Sequence, residues 1–200
     1  MARRLATSGR APAGFKLVEE AIIPAVETDL IELAQRFSLA YYALDPDNPR
    51  SSASFGYKYD FANDSFTACT PIPDAFRDVC QVAADLAAVA PEDFAECLVN
   101  RYEPGATIQP HRDKPVFDRI VGLSLGSAAT MVLTGPEELK LAPAHIVLPR
   151  RSMYLLSQDS RWLWKHSLPP VTHMRWSMTF RTLSPEGRVL LDRHAVADET

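Results

Sequence analysis

Apolar positions along the chain change their spacing near residue 97. Before that point they recur at helical intervals. "GFKLVEEAII" reads as a short strand, and "PAVETDLIELAQRF" follows as a helix, with Pro24 in its first turn and Val26, Leu30, Leu33 and Ala34 on one side. "DPDNPRSSAS" is rich in Pro, Asp, Asn and Ser and reads as a loop. "PDAFRDVCQVAADLAAVA" predicts a second helix with Val79, Val82, Ala83 and Leu86 on one face. From residue 97 the chain breaks into short apolar runs separated by turn residues: "CLVNRYE", "RIVGLSLG", "ATMVLT", "HIVLP", "SMYLLSQ", "RWLWKH" and "MRWSMTFRTL". Helices followed by a run of short strands predict an α+β domain, with a β sandwich or barrel and the helices packed on one face.

The last of these runs alternates strictly. Arg175, Ser177, Thr179 and Arg181 share one face, and Trp176, Met178 and Phe180 share the other. If the apolar face packs on the helices, two guanidiniums point into the barrel. Buried arginines need anionic partners, and their planar fork matches a carboxylate, so a small dicarboxylate inside the barrel is expected. An edge strand with its arginines in water would carry the same pattern.

"NRYEPGATIQPHRD" contains a His-x-Asp, His111 and Asp113, whose side chains point the same way on an extended segment and can reach one ion. Alone the motif is weak, because 14 Asp and 5 His in 200 residues produce it often by chance. Two His and one carboxylate with open positions is the arrangement of Fe(II) oxygenases, which needs a third ligand from His145, His166, His173 or His194. Position favours His166, which ends one strand before "SLPP" turns the chain toward Arg175. His173 competes, since it shares the face of Arg175.

Composition is ordinary for a soluble globular chain, with 46% hydrophobic and 23% charged residues, and 200 residues suffice for one domain with a sizeable core. Three cysteines with no CxxC read as buried thiols in a reducing compartment. The basic start "MARRLATSGRAPAG" lacks an apolar segment behind it and does not read as a signal peptide; no run is long enough to span a membrane, so a cytoplasmic protein is expected. The net charge of −4 hides an asymmetry: residues 1–100 carry 8 Lys/Arg against 15 Asp/Glu, whereas residues 101–181 carry 11 against 6. The His-x-Asp lies in the basic segment, which suits an anionic ligand, although scattered surface charge gives similar counts.

With these motifs in family order and spacing, the chain resembles the AlkB-like Fe(II)/2-oxoglutarate-dependent dioxygenases. The resemblance rests on "NRYEPGATIQPHRD", "IVGLSLG", "SRWLWKH" and "RWSMTFR", and covers about residues 97–182. It implies a double-stranded β-helix (jelly-roll) core over that segment, preceded by an N-terminal extension and lid over about residues 1–96, in a single domain. It implies Fe(II) held by His111, Asp113 and His166, with 2-oxoglutarate as cosubstrate and O2. Arg175 would hold the far carboxylate, helped by Tyr102, with Asn100 and Arg181 near the end that chelates iron. Oxidation of an N-methyl group would release free base and formaldehyde, as in repair of alkylated DNA or RNA.

The substrate is read from "SFGYKYDFANDSF", where Phe55, Tyr57, Tyr59 and Phe61 form an aromatic row on one face of an expected strand, with Lys58 on the other. Such a row can be core. Alternatively, Tyr57 or Tyr59 stacks on a flipped base of single-stranded nucleic acid while Lys58 and Arg112 attend to phosphate, as the lid of AlkB-like proteins implies. Two departures stand out. Pro115 occupies the place where the repair prototype has a base-reading carboxylate. Ser177 replaces the Asn of the family's Arg-x-Asn-x-Thr-Phe-Arg, with shorter reach. "FGYKYDF", "LPRRSMYLLSQDSRWLWKH" and that serine are also similar to the oxygenase domain of the eukaryotic wobble-uridine tRNA hydroxylases, which makes tRNA an alternative substrate. A protein or small-molecule hydroxylase is the third reading. A monomer is expected.

Overall fold

The computed structural model of the chain describes residues 8–41, 47–60, 63 and 65–197. The elements run β1 (Lys16–Val18), α1 (Pro24–Ala34), β2 (Ala40–Tyr41), β3 (Arg50–Asp60), β4 (Ser65–Ala68), α2 (Arg77–Ala87), β5 (Phe94–Tyr102), β6 (Ile108–His111) and β7 (Phe117–Leu125). There follow β8 (Ala129–Thr134), β9 (Ala144–Leu148), β10 (Met153–Leu156), α3 (Gln158–Trp162), β11 (Lys165–Leu168), β12 (Arg175–Leu183) and α4 (Pro185–Ala197).

Among the described residues the strands form an eight-stranded sheet in the order β1-β10-β7-β12-β5-β3-β2, with β4 paired to β3, and a four-stranded sheet in the order β6-β11-β8-β9. The pairings are antiparallel throughout. The strict alternation of β12 sorts its residues between two cores. Trp176, Met178 and Phe180 pack with Phe76, Val79, Ala83 and Leu30, so α1 and α2 cover the outer face of the large sheet. The second core fills the space between the sheets, from Tyr102, Ile120, Met131, Leu133, Ile146 and Leu156. The fold is the expected α+β jelly roll, with N-terminal helices on one face.

Glu27 ties α1 to the barrel. Its carboxylate is 1% exposed and accepts bonds from Gly126 N–H (2.9 Å), Arg150 Nη2 (2.7 Å) and Arg151 Nη1 (3.2 Å). Burial works to raise its pKa, but Arg150, Gly126 and Arg151 prevail and hold the carboxyl below its usual range. Arg119 closes the C-terminal end of α2 by donating to the Ala87 and Ala88 carbonyls, placing positive charge where the helix leaves its acceptors unpaired.

Three expectations from the sequence are corrected. "DPDNPRSSAS" does not stay a loop to its end: Arg50 to Ser54 already belong to β3 and pair with Tyr102 to Leu98 of β5. The backbone of this stretch pairs with a neighbouring strand, which composition does not record. "RWLWKH" begins as a helix, because α3 runs to Trp162. Arg161 and Trp164 are buried and Trp162 and Leu163 exposed, a spacing of three, and the Ser157 N–H donates to Ser160 Oγ (3.0 Å) across the first turn. Consequently His166 lies at the start of β11, one residue after Lys165, rather than ending a strand. The third correction concerns the aromatic row. Gly56 has φ +81°, and a Cβ there would lie 2.3 Å from the Ala95 carbonyl oxygen. Across this irregularity the row divides: Phe55 joins the core beneath the helices, whereas Tyr57 and Tyr59 turn to the core between the sheets. Phe61 lies outside the described residues.

Candidate active site

The smaller sheet brings two histidines together. His111 on β6 and His166 on β11 are direct cross-strand partners, with ring centroids 4.3 Å apart. Asp113 follows two residues after His111, its Oδ2 3.8 Å from His166 Nε2. One ligand atom from each of the three lies within 4.8 Å of the others. His111 Nδ1 sits 2.8 Å from the Gln109 carbonyl oxygen and donates to it as the Nδ1–H tautomer, which leaves Nε2 with a lone pair for a metal.

The electrostatics keep His166 and Asp113 in ligand form. Burial pushes His166 down to about 4 against the pull of Asp113, so the imidazole is neutral at physiological pH. Burial raises Asp113, but Arg181, His166 and His111 outweigh it and bring the carboxyl to about 2. Arg181 Nη2 donates to Asp113 Oδ1 (2.8 Å) and its Nη1 to Glu96 Oε2 (2.7 Å), a bridge between two carboxylates. A second buried arginine, Arg161, donates from Nη2 to the carbonyls of Lys114 (2.6 Å) and Phe117 (2.7 Å). These bonds hold the backbone directly after Asp113.

Along the inner face of the large sheet, Arg175 stands opposite Tyr102 and Ser177 opposite Asn100. Arg175 is 1% exposed, its guanidinium lies 4.9 Å from the Tyr102 ring centroid, and its Nε and Nη1 have no hydrogen-bond partner among the described residues. A buried cation with unfilled donors on an interior face calls for an anion. Ser124 Oγ, buried and opposite Ser177, is also without a partner among the described residues, as is Arg181 Nε. These open donors and the ligand triad fit a metal and a carboxylate-bearing cosubstrate. The contacts to Ser177 are long, at 3.5 Å from Asn100 Nδ2 and 3.4 Å from the Tyr102 hydroxyl, as a side chain shorter than Asn leaves them.

Two of the rival histidines, His173 and His145, are exposed. His173 has its Nδ1 2.9 Å from Thr172 Oγ1. His145 lies on β9, where its backbone bridges Ser8. His194 falls on α4, and its side chain lies outside the described residues. Of the lid residues, Tyr59 is buried against Phe66, with ring centroids 5.6 Å apart, and Lys114 Nζ lies over its ring at 5.9 Å. Tyr57 is half-buried and Lys58 exposed. Arg112, exposed, donates to the Trp162 carbonyl (3.2 Å) beside the triad. Reading the sequence overlooked Glu96, Ser124, Arg161 and Trp162. Arg161 alone left a trace, as a charged residue directly before the apolar Trp162–Trp164.

A family model of the 2OG-Fe(II) oxygenase superfamily matches residues 31–190. The tRNA (carboxymethyluridine(34)-5-O)-methyltransferase ALKBH8 of Mus musculus is 29% identical over 174 residues, covering 80% of this chain and 24% of that protein. The alpha-ketoglutarate-dependent dioxygenase AlkB of Escherichia coli K12 is 31% identical over 124 residues, 55% of each chain. The chain thus spans about a quarter of the length of the ALKBH8 relatives it matches. The solved structure of OsALKBH1 shares the fold, with a TM-score of 0.62 at 18% identity, covering 88% of this chain and 100% of that one. With the triad and the buried arginines in place, the chain belongs to the 2OG-Fe(II) oxygenase superfamily as an AlkB-like dioxygenase that uses Fe(II), 2-oxoglutarate and O2.

Proposed function

We propose that this oxygenase oxidises a carbon attached to a nucleobase in single-stranded DNA or RNA. His111 Nε2, Asp113 and His166 hold the metal, and Arg175 with Tyr102 holds the far carboxylate of 2-oxoglutarate. Asn100, Ser177 and Arg181 border the chelating end. When bound, Fe(II) and 2-oxoglutarate supply with O2 the oxidising power that turns a substrate C–H into C–OH, yielding succinate and CO2. The protein's part is to keep His166 neutral and Asp113 ionised, to fix the ligand loop through Arg161 and Arg181, and to admit a base beneath Tyr57. Arg112 and Lys58 lie exposed where phosphates of the strand would pass.

The observation that carries the cosubstrate assignment is Arg175, buried with two open donors on the face that looks into the barrel. Nucleic acid as substrate is supported by the tRNA activity named for the ALKBH8 relatives. Two products are open to this chemistry. An oxidised N-methyl collapses to free base and formaldehyde, as in repair of alkylated bases, whereas an oxidised carbon substituent on a modified tRNA base stays as an alcohol. Pro115 favours the second product: it is exposed and supplies no carboxylate to neutralise a cationic methylated base, a need that a neutral uridine does not have. The test is turnover with Fe(II) and 2-oxoglutarate on methylated DNA, methylated RNA and bulk tRNA, with products read by mass. A gain of one oxygen on a tRNA nucleoside is expected. Loss of a methyl group instead selects repair, and turnover on none of the three rejects a nucleic-acid substrate in favour of a protein or small-molecule hydroxylase.

A further inference from the structure

Two residues on neighbouring strands share a space that only one of their side chains fills. Tyr154 on β10 and Gly122 on β7 are direct partners, and both face the space between the sheets. The tyrosine ring lies across the glycine: a Cβ on Gly122 would stand 2.2 Å from Tyr154 Cζ and 2.4 Å from its hydroxyl oxygen. Any side chain at position 122 would therefore expel the ring. Phe15 lies nearly parallel to Tyr154 on another side, 11° between planes at a centroid distance of 6.5 Å.

The ring's direction is informative. Gly122 also pairs with Thr179 of β12, so a phenol carried over β7 reaches the inner face shared by β7 and β12. There Ser124 and Ser177 form the next inward-facing pair, and Arg175 lies two residues beyond Ser177. Tyr154 feels the charges of Arg175, Asp113 and Arg181. Burial above all, with Tyr102 and Asp113 nearby, pushes its pKa up, so the hydroxyl stays protonated and able to donate. The same region holds the unpartnered Arg175 Nε and Nη1 and the unpartnered Ser124 Oγ. Donors gathered in a buried space without acceptors are the complement of a carboxylate.

We infer that Tyr154, seated over Gly122, is a cosubstrate-specificity residue, whose hydroxyl donates with Ser124 and Arg175 to the far carboxylate of the 2-oxo diacid. This rests on the assignment of Arg175 to that carboxylate. A tyrosine serving only to fill the barrel would act through its ring, which phenylalanine preserves.

The experiment uses the manganese-loaded protein, in which binding is followed calorimetrically without turnover. 2-Oxoglutarate is compared with 2-oxopentanoate, which has the same chain length and a methyl in place of the far carboxylate. In Tyr154→Phe the preference for 2-oxoglutarate falls about tenfold, as for loss of one hydrogen bond to a charged group, while manganese affinity and the melting temperature stay at parental values. Arg175→Met is run alongside. If the preference falls in Arg175→Met but is parental in Tyr154→Phe, the Tyr154 inference is overturned and the Arg175 assignment stands. If it falls in neither, both are overturned. A lower melting temperature in Tyr154→Phe with an unchanged preference also overturns the inference, since the hydroxyl then serves the fold alone.

Discussion

Arg175 shows how one side chain can declare a ligand. A guanidinium enclosed on a sheet interior, stacked on Tyr102 and left with open N–H groups, is costly unless an anion completes it. Arg175→Lys keeps the charge and loses the planar fork. It is expected to weaken 2-oxoglutarate binding by about 1–3 kcal/mol, read by titration of the metal-loaded protein; unchanged affinity moves the anion site elsewhere. At the proposed metal site, His111→Ala removes one of the three candidate ligands. Calorimetric titration with Fe(II) under argon is expected to show strongly reduced affinity, with iron-dependent consumption of 2-oxoglutarate abolished. Equal iron affinity in variant and parent removes His111 from the ligand set.

At the scale of elements, the β3–β4 hairpin carries the substrate prediction. Beyond the irregularity at Gly56, Tyr57 and Tyr59 share a face but differ in burial. Tyr59 is 7% exposed and wedged against Phe66, so Tyr59→Ala is expected to cost about 3–5 kcal/mol of stability, measured by denaturation. Tyr57 is half-buried, touching Phe66 edge-on with centroids 6.4 Å apart. Tyr57→Ala is expected to cost little stability yet lose about 1–3 kcal/mol of affinity for a single-stranded oligonucleotide. If Tyr57→Ala melts far below the parent and its folded fraction binds normally, both tyrosines are core and the lid does not read the base.

Across the whole molecule, charge couples to stability and to binding. Glu27 has a folded-state pKa below its unfolded value, so its contribution is present above the unfolded carboxylate range and is lost as pH falls through the folded pKa. The melting temperature should therefore drop on acidification below about pH 5, and less steeply in Glu27→Gln, which already lacks the charge. Identical pH profiles in the two proteins would show that the Glu27 cluster adds nothing to acid stability. The basic balance of residues 101–181 makes a second prediction. Oligonucleotide affinity should fall with salt, with a log–log slope of about −0.7 per phosphate contacted; salt-independent binding argues against a strand lying on that surface.

Much of this protein is local enough to be legible in its sequence. Alternation along β12 separated the arginine face from the aromatic one, because a strand's side chains obey a period of two whatever surrounds them. Helical spacing located α1 and α2 for the same reason. The His-x-Asp marked a ligand pair, since two residues on one extended segment need no tertiary contact to point together. What crosses between strands was decided only by the fold. Registry set His166 against His111 and left His173 outside, and long-range pairing made a strand of a serine-rich stretch. A positive φ at Gly56, where Ala95 leaves no room for a side chain, parted an aromatic row that looked continuous. Glu96, Ser124 and Tyr154 carried no signal in their own neighbourhoods, because their meaning lies in residues 32 to 85 positions away that the fold brings beside them.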